Sequence, residues 1–208
     1  MKSLNGRELV GYIKERQAKQ VRSLRGRKIL PKLAIFYDND SPVIAKYMSL
    51  KQKYGDDIGI AVEVQKINSE NAEQLLKAAA GDVATTGIIV QLPLAEVSMN
   101  VLDLIPIEKD VDGLRGMSDT ATAMAIHWLL TGYDIDIKSK KIAIVGHGKL
   151  VGAPLEKMWR ESGYNVTVFD KGDDISKLND YNLIVTATGV PGLIKSEMVQ
   201  PGAVVVDA

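Results

Sequence analysis

Lys141-Ile-Ala-Ile-Val-Gly-His-Gly-Lys-Leu-Val-Gly152 is the stretch that decides the fold. Ile142 to Val145 is a short apolar run, and Gly146, Gly148 and Gly152 end it. A helical pattern, Ala153 to Glu161, follows. This is the layout of a strand, a tight glycine turn and a helix whose N-terminus can hold a pyrophosphate. The bare glycine spacing also marks ordinary turns, so context matters. Asp170 ends the next strand, 24 positions past Gly146. That is near the spacing at which an acid accepts ribose hydroxyls. An acid there favours NAD, because it repels the extra phosphate of NADP; Lys171 beside it opposes that repulsion. Asp170 reads equally well as a solvated strand end. Leu183 to Ala187 then runs into Thr188-Gly189-Val190-Pro191-Gly192, either a plain turn or a ligand-facing loop at the same sheet edge.

Outward from this stretch, strands alternate with helices. Leu4 to Leu24 reads as an amphipathic helix with Leu9, Ile13 and Val21 on one side. Lys32 to Tyr37 is a strand, and Ser41-Pro42 is an N-cap with proline at the first helical position. The helix it opens runs to about Tyr54. Gly59 to Ile67 is a strand, Ser69 to Ala80 a helix, and Thr86 to Gln91 a strand fit for burial on both faces. A short helix is expected near Val97 to Leu104, an irregular segment over Pro106 to Gly116, and a helix over Asp119 to Leu130. After the glycine-turn strand and helix come a strand over 164–169, a weak helix over 174–179, and strands over 181–187 and 203–207. The expectation is an α/β protein of two parallel-sheet domains with right-handed crossovers, the second Rossmann-like. The polar stretch Tyr133 to Ser139 sets their boundary, giving 1–132 and 133–208.

Composition narrows the function classes. Lysine plus arginine equals aspartate plus glutamate, so net charge points to no nucleic-acid or membrane partner. The absence of cysteine excludes disulfides and cysteine nucleophiles and fits a reducing cytoplasm. With two histidines, no metal site is expected. No apolar run approaches the roughly 20 residues that a membrane helix needs.

The first half must supply what a dinucleotide would react with. In the helix from Pro42, the inward stripe is expected to be Val43, Ile44, Tyr47, Met48, Leu50 and Tyr54. Lys51 falls on it too, four residues after Tyr47. Such a lysine either snorkels to water or sits in a partly dry cleft. There, desolvation lowers its pKa and lets it move protons near neutral pH. Gln91, at the end of a buried strand, either caps that strand or orients a neighbouring amine. Asp110 and Asp112 lie in Lys109-Asp-Val-Asp-Gly113, where an Asp-Gly turn competes with a two-carboxylate site.

Four motifs stand in order: Tyr47-x-x-x-Lys51-x-Lys53, Gly87-Ile-Ile-Val-Gln91-Leu-Pro-Leu94, Lys109-Asp-Val-Asp-Gly113 and Val145-Gly-His-Gly-Lys-Leu-Val-Gly-Ala-Pro154. Together they resemble the bifunctional methylenetetrahydrofolate dehydrogenase/methenyltetrahydrofolate cyclohydrolase family. The resemblance implies oxidation of 5,10-methylenetetrahydrofolate with NADP or NAD, then hydrolysis of the methenyl bridge to 10-formyltetrahydrofolate. It implies Lys51 as general acid/base, Gln91 as its partner, Tyr47 and Leu92 against the folate, and Asp112 on the pterin. Gly146, His147 and Gly148 would line the cofactor phosphates, with Asp170, Thr188 and Gly189 completing the cofactor set. It also implies a cleft between the domains, tetrahydrofolate derivatives as ligands and a cytoplasmic homodimer.

The chain departs from the family in four places, one being the altered length of Asp38-Asn39-Asp40-Ser41 before the second helix. Ile44 stands where the family has serine. Only Thr122 remains of a Pro-x-Thr-Pro-x-Gly stretch, and the family continues past the position of Ala208. A shortened, inactive homologue or a non-catalytic dinucleotide-binding module is the first alternative. A dehydrogenase of the amino-acid or shikimate kind is the second.

Overall fold

The structure, a computed structural model, describes residues 3–116 and 119–208. The chain forms two compact units, one of Asn5–Ser118 and one of Asp119–Ala208 with Met1–Leu4. The division therefore falls earlier than the expected boundary at 132/133. The reason is packing: the helix over 121–132 buries Ala123, Ile126 and Leu130 among Ile142, Leu155 and Trp159 of the second unit.

In the first unit, α1 (Gly6–Gly26), β1 (Lys32–Tyr37), α2 (Pro42–Ile58), β2 (Ala61–Lys66), α3 (Ala72–Gly81) and β3 (Gly87–Val90) follow in order. The sheet is parallel, ordered β2-β1-β3, with Ile35 opposite Val64 and Phe36 opposite Val90. β3 is buried at all four positions, as its unbroken apolar run requires. Ala34, Phe36, Ile88 and Val90 pack with Ile67, Leu76, Val97 and Ile105. Ser41 caps α2 as expected, its Oγ accepting from Ile44 N at 3.3 Å with Pro42 in the first turn. Gly59 ends α2 in the left-handed region at φ +84°. α1 has one fully buried residue, Val21, so its apolar side is thinner than the sequence suggested.

The second unit contains α4 (Ala121–Gly132), β4 (Ile142–Val145), α5 (Gly152–Glu161), β5 (Val166–Phe169), β6 (Leu183–Thr186) and β7 (Val204–Asp207). Its parallel sheet runs β5-β4-β6-β7, with β4 and β6 buried throughout. The expected weak helix near 174–179 is a 3-10 turn over Ile175–Asp180, as is the one over Met99–Leu104 in the first unit.

Each sheet has a point where the strand order reverses: between β1 and β3 in the first, between β4 and β6 in the second. The carboxyl ends of strands at such a reversal leave a crevice where ligands of open α/β sheets bind.

Candidate active site

At the β1/β3 reversal, Gln91 leaves β3 with its backbone N–H held by Phe36 O at 2.8 Å. Lys51 reaches the same place from α2. It shares the helix face of Ile44, Met48, Gly55 and Ile58, the buried residues of that helix. Its Nζ donates to Gln91 Oε1 at 2.8 Å, and Gln91 Nε2 donates to Leu92 O at 3.0 Å. Burial pushes the Lys51 ammonium below the ordinary lysine value, and the charge of Asp112 partly restores it. Burial raises the Asp112 carboxyl above the usual range; the Lys51 charge opposes that shift and Asp110 adds to it. Burial thus moves the two groups toward each other in proton affinity.

The turn carrying Asp112 is built from its neighbours. Asp110 is buried, pairs with Ile88 in a single parallel bridge, and accepts from Gly113 N at 3.1 Å and Arg115 N at 3.0 Å. Lys109 Nζ donates to Ala80 O at 2.7 Å and Asp82 O at 2.8 Å, satisfying carbonyls at the end of α3. Asp110 is therefore the turn's internal acceptor. Asp112 is the carboxylate that acts electrostatically on Lys51.

Two expectations for α2 need correction. Val43, Tyr47 and Leu50 are 62%, 54% and 53% exposed, so the inward stripe is narrower than the periodicity suggested. Tyr47 sits on the exposed side, one turn before the lysine, rather than in the core.

Sequence reasoning missed Asp38. It follows β1, is buried, and accepts from the backbone N–H groups of Ala95, Glu96 and Val97. A charged residue directly after an apolar strand, at the edge where ligands bind, was the available signal.

At the β4/β6 reversal the corner is made of glycine. Gly146 has φ +98°, and a Cβ there would lie 2.7 Å from Ala187 O. A Cβ on Gly152 would lie 1.9 Å from Gly146 O, so the helix can approach the turn only without a side chain. Gly148 faces open space. His147 Nε2 lies 2.6 Å from Glu156 Oε2, and Glu156 also accepts from Arg160 Nε at 2.7 Å, tying the turn to α5.

The Thr188 methyl lies 2.9 Å from that Gly146 Cβ position, so the β6 loop meets the glycine turn. Gly189 has φ +64°. Asp170 ends β5 in an exposed turn, its Oδ1 accepting from Lys171 N at 2.8 Å and its N–H donating to Asp173 Oδ2 at 2.7 Å. A cavity of about 460 Å³ opens beside Thr186, Leu193, Lys195 and Asp207, at the same edge of the sheet. A bare backbone turn at the open edge of the sheet fits a pyrophosphate-bearing cofactor.

Family comparison covers both units. Residues 4–112 match the catalytic domain of tetrahydrofolate dehydrogenase/cyclohydrolase, and residues 120–208 match the NAD(P)-binding domain of the same enzymes. The chain belongs to this family. It is 30% identical to the bifunctional protein FolD of Mycoplasmopsis synoviae (strain 53), covering all of this chain and 81% of that one.

Among solved structures of the family, a FolD methylenetetrahydrofolate dehydrogenase/cyclohydrolase from Campylobacter jejuni is 30% identical with a TM-score of 0.91. That match covers 97% of this chain and 79% of the other. A 5,10-methylenetetrahydrofolate dehydrogenase from the silkworm Bombyx mori is 27% identical with a TM-score of 0.90, covering 99% and 82%. Both halves of a bifunctional dehydrogenase/cyclohydrolase of one-carbon metabolism are therefore present in one chain. The reading as a bare dinucleotide-binding module finds no support.

Proposed function

We propose that Lys51 moves the protons of the hydrolytic step in this family's reaction, with Gln91 and Asp112 setting its state. The observation that carries this is the 2.8 Å contact of Lys51 Nζ with Gln91 Oε1, beside a carboxylate that shifts the lysine's proton affinity. The methenyl bridge is an amidinium cation, electrophilic at carbon. Neutral Lys51 takes a proton from the attacking water, and a C–O bond forms. The protonated lysine then returns a proton to N5 as the carbon–N5 bond breaks, the hydroxyl proton passes to solvent as the C=O bond forms, and 10-formyltetrahydrofolate is left. Asp112 holds the pterin by hydrogen bonds, and Leu92 lines the folate beside Gln91. Tyr47, exposed one turn from the lysine, offers its ring as a platform for the same ligand.

When bound, a nicotinamide cofactor would supply the hydride acceptor for the preceding oxidation of the methylene bridge. This chain's part is to hold it: Gly146, His147 and Gly148 around the phosphates, Thr188 and Gly189 at the β6 loop, Asp170 at the ribose. Asp170, Asp173 and Asp174 cluster after β5 with Lys171 among them. That acidic balance repels a ribose phosphate, so NAD is the preferred cofactor over NADP. A homodimer formed through the second unit and a cytoplasmic setting complete the proposal, both on family resemblance.

The test is the appearance of methenyltetrahydrofolate absorbance with NAD or NADP, and its decay on hydrolysis. Lys51→Met should slow the decay about a thousandfold while leaving dinucleotide affinity within about twofold, since distant independent sites add. Unchanged decay in that variant would remove the lysine from the mechanism.

A further inference from the structure

The first reversal point holds a carboxylate that the folate chemistry leaves without a task. Asp38 is 7% exposed. Its Oδ1 accepts from Ala95 N at 2.8 Å, and its Oδ2 accepts from Glu96 N and Val97 N, both at 2.8 Å. Burial works against its charge, and the three N–H donors outweigh burial, so its carboxyl is held below the usual range. Three successive amides converging on one buried anion form a clamp, and each would be costly to leave unpaired.

What the clamp holds is the far end of the segment that starts at Gln91. The near end is fixed by Gln91 N to Phe36 O. Between the two lies the Leu92 carbonyl, which accepts from Gln91 Nε2 at 3.0 Å. A glutamine amide has one acceptor side and one donor side. With Nε2 committed to Leu92 O, Oε1 is left for Lys51. If that carbonyl moves, the amide is free to turn its NH2 toward the lysine, which disfavours the ammonium form.

We infer that Asp38 is a positioning residue for the Lys51–Gln91 pair: by clamping residues 95–97 it fixes the Leu92 carbonyl, and so keeps Gln91 Oε1 aimed at Lys51 Nζ. Its effect on turnover rests on the reading of Lys51 given above. Its effect on the lysine's proton does not.

The test is a double-mutant cycle on the full chain, read by NMR titration of isotopically labelled lysine, with Lys51 assigned through Lys51→Met. Asp38→Asn keeps the shape but replaces an acceptor oxygen with an NH2 that faces an N–H. The groups bearing on Lys51 are Gln91, neutral, and Asp112, which raises its proton affinity and is itself influenced by Asp110. Losing the Gln91 acceptor destabilises the ammonium, so Lys51 should titrate about one pH unit lower in Asp38→Asn. The rising limb of hydrolytic kcat against pH should move down by the same unit, with KM changing much less.

In a Gln91→Ala background the same substitution should move the lysine no further. An unshifted Lys51 in folded Asp38→Asn, or an equal shift in both backgrounds, overturns the inference. If Asp38→Asn does not fold, Asp38→Glu, which keeps both acceptors but displaces the loop, is read in the same cycle by the same criteria. A wild-type chain without hydrolysis would count against the proposed function, while the titration would still decide the role of Asp38.

Discussion

The two sheets share a plan and differ in what they place at its critical point. In both, the chain lays a strand on one side of the first and then crosses to the other: β2-β1-β3 and β5-β4-β6. Both therefore have a crevice at a reversal. The first crevice is filled with side chains whose charges are half buried: Lys51 on Gln91, with Asp112 near and Asp38 behind. The second is emptied of them, with Gly146 and Gly152 bringing backbone against backbone and Gly148 facing open space. Topology supplies a corner in each case, and residue type decides what chemistry it offers.

The contrast can be broken from either side. The largest effect is expected at the crowded corner. Lys51→Met should lower methenyl hydrolysis about a thousandfold, since it removes the proposed acid/base; stopped-flow decay of the methenyl absorbance measures it. At the emptied corner, Gly152→Ala forces a Cβ to 1.9 Å from Gly146 O, and backbone on both sides leaves no flexible atom to yield. It should destabilise the second unit by about 3 kcal/mol, seen in a denaturant melt, and weaken dinucleotide binding with it.

Asp170→Ser should improve NADP relative to NAD by about tenfold in dissociation constants, if the acid repels the phosphate. Asp112→Asn sharpens the electrostatic side. Asp112 raises the proton affinity of Lys51, so without it the lysine gives up its proton more readily. With Lys51 as the base, the rate of hydrolysis should rise with pH as the amine becomes neutral, and that limb should move to lower pH by about one unit in the variant. A limb that stays in place would separate Asp112 from the lysine.

Much of this was legible in the sequence, for reasons that differ by element. β1 was expected over Lys32 to Tyr37 and is found there, because Lys-Leu-Ala-Ile-Phe-Tyr is bounded by proline before and polar residues after. Ser41-Pro42 announced the start of α2, and the hydroxyl does cap it. Lys51 was placed on the inward stripe by spacing alone, and it lies between Met48 and Gly55 on that face.

Periodicity could not give the width of the stripe, since that depends on how much sheet lies beneath the helix; hence Val43, Tyr47 and Leu50 are exposed. Nor could it divide Asp110 from Asp112, because the difference is set by a backbone turn that buries one and leaves the other near a lysine 61 positions away in the chain. Asp38 was hidden for the same reason: its partners lie 57 to 59 residues ahead. α4 was assigned to the first domain because a polar linker follows it, yet its apolar face belongs to the core of the second.

The most direct measurement is the titration of the Lys51 amine in the folded chain, set beside the pH dependence of methenyl hydrolysis. Lys51 should titrate below the free-lysine value of about 10.4, at the same pH as the rising limb of the rate. A lysine that titrates at the free value, or a limb that does not follow it, would contradict the assignment of proton transfer to this residue.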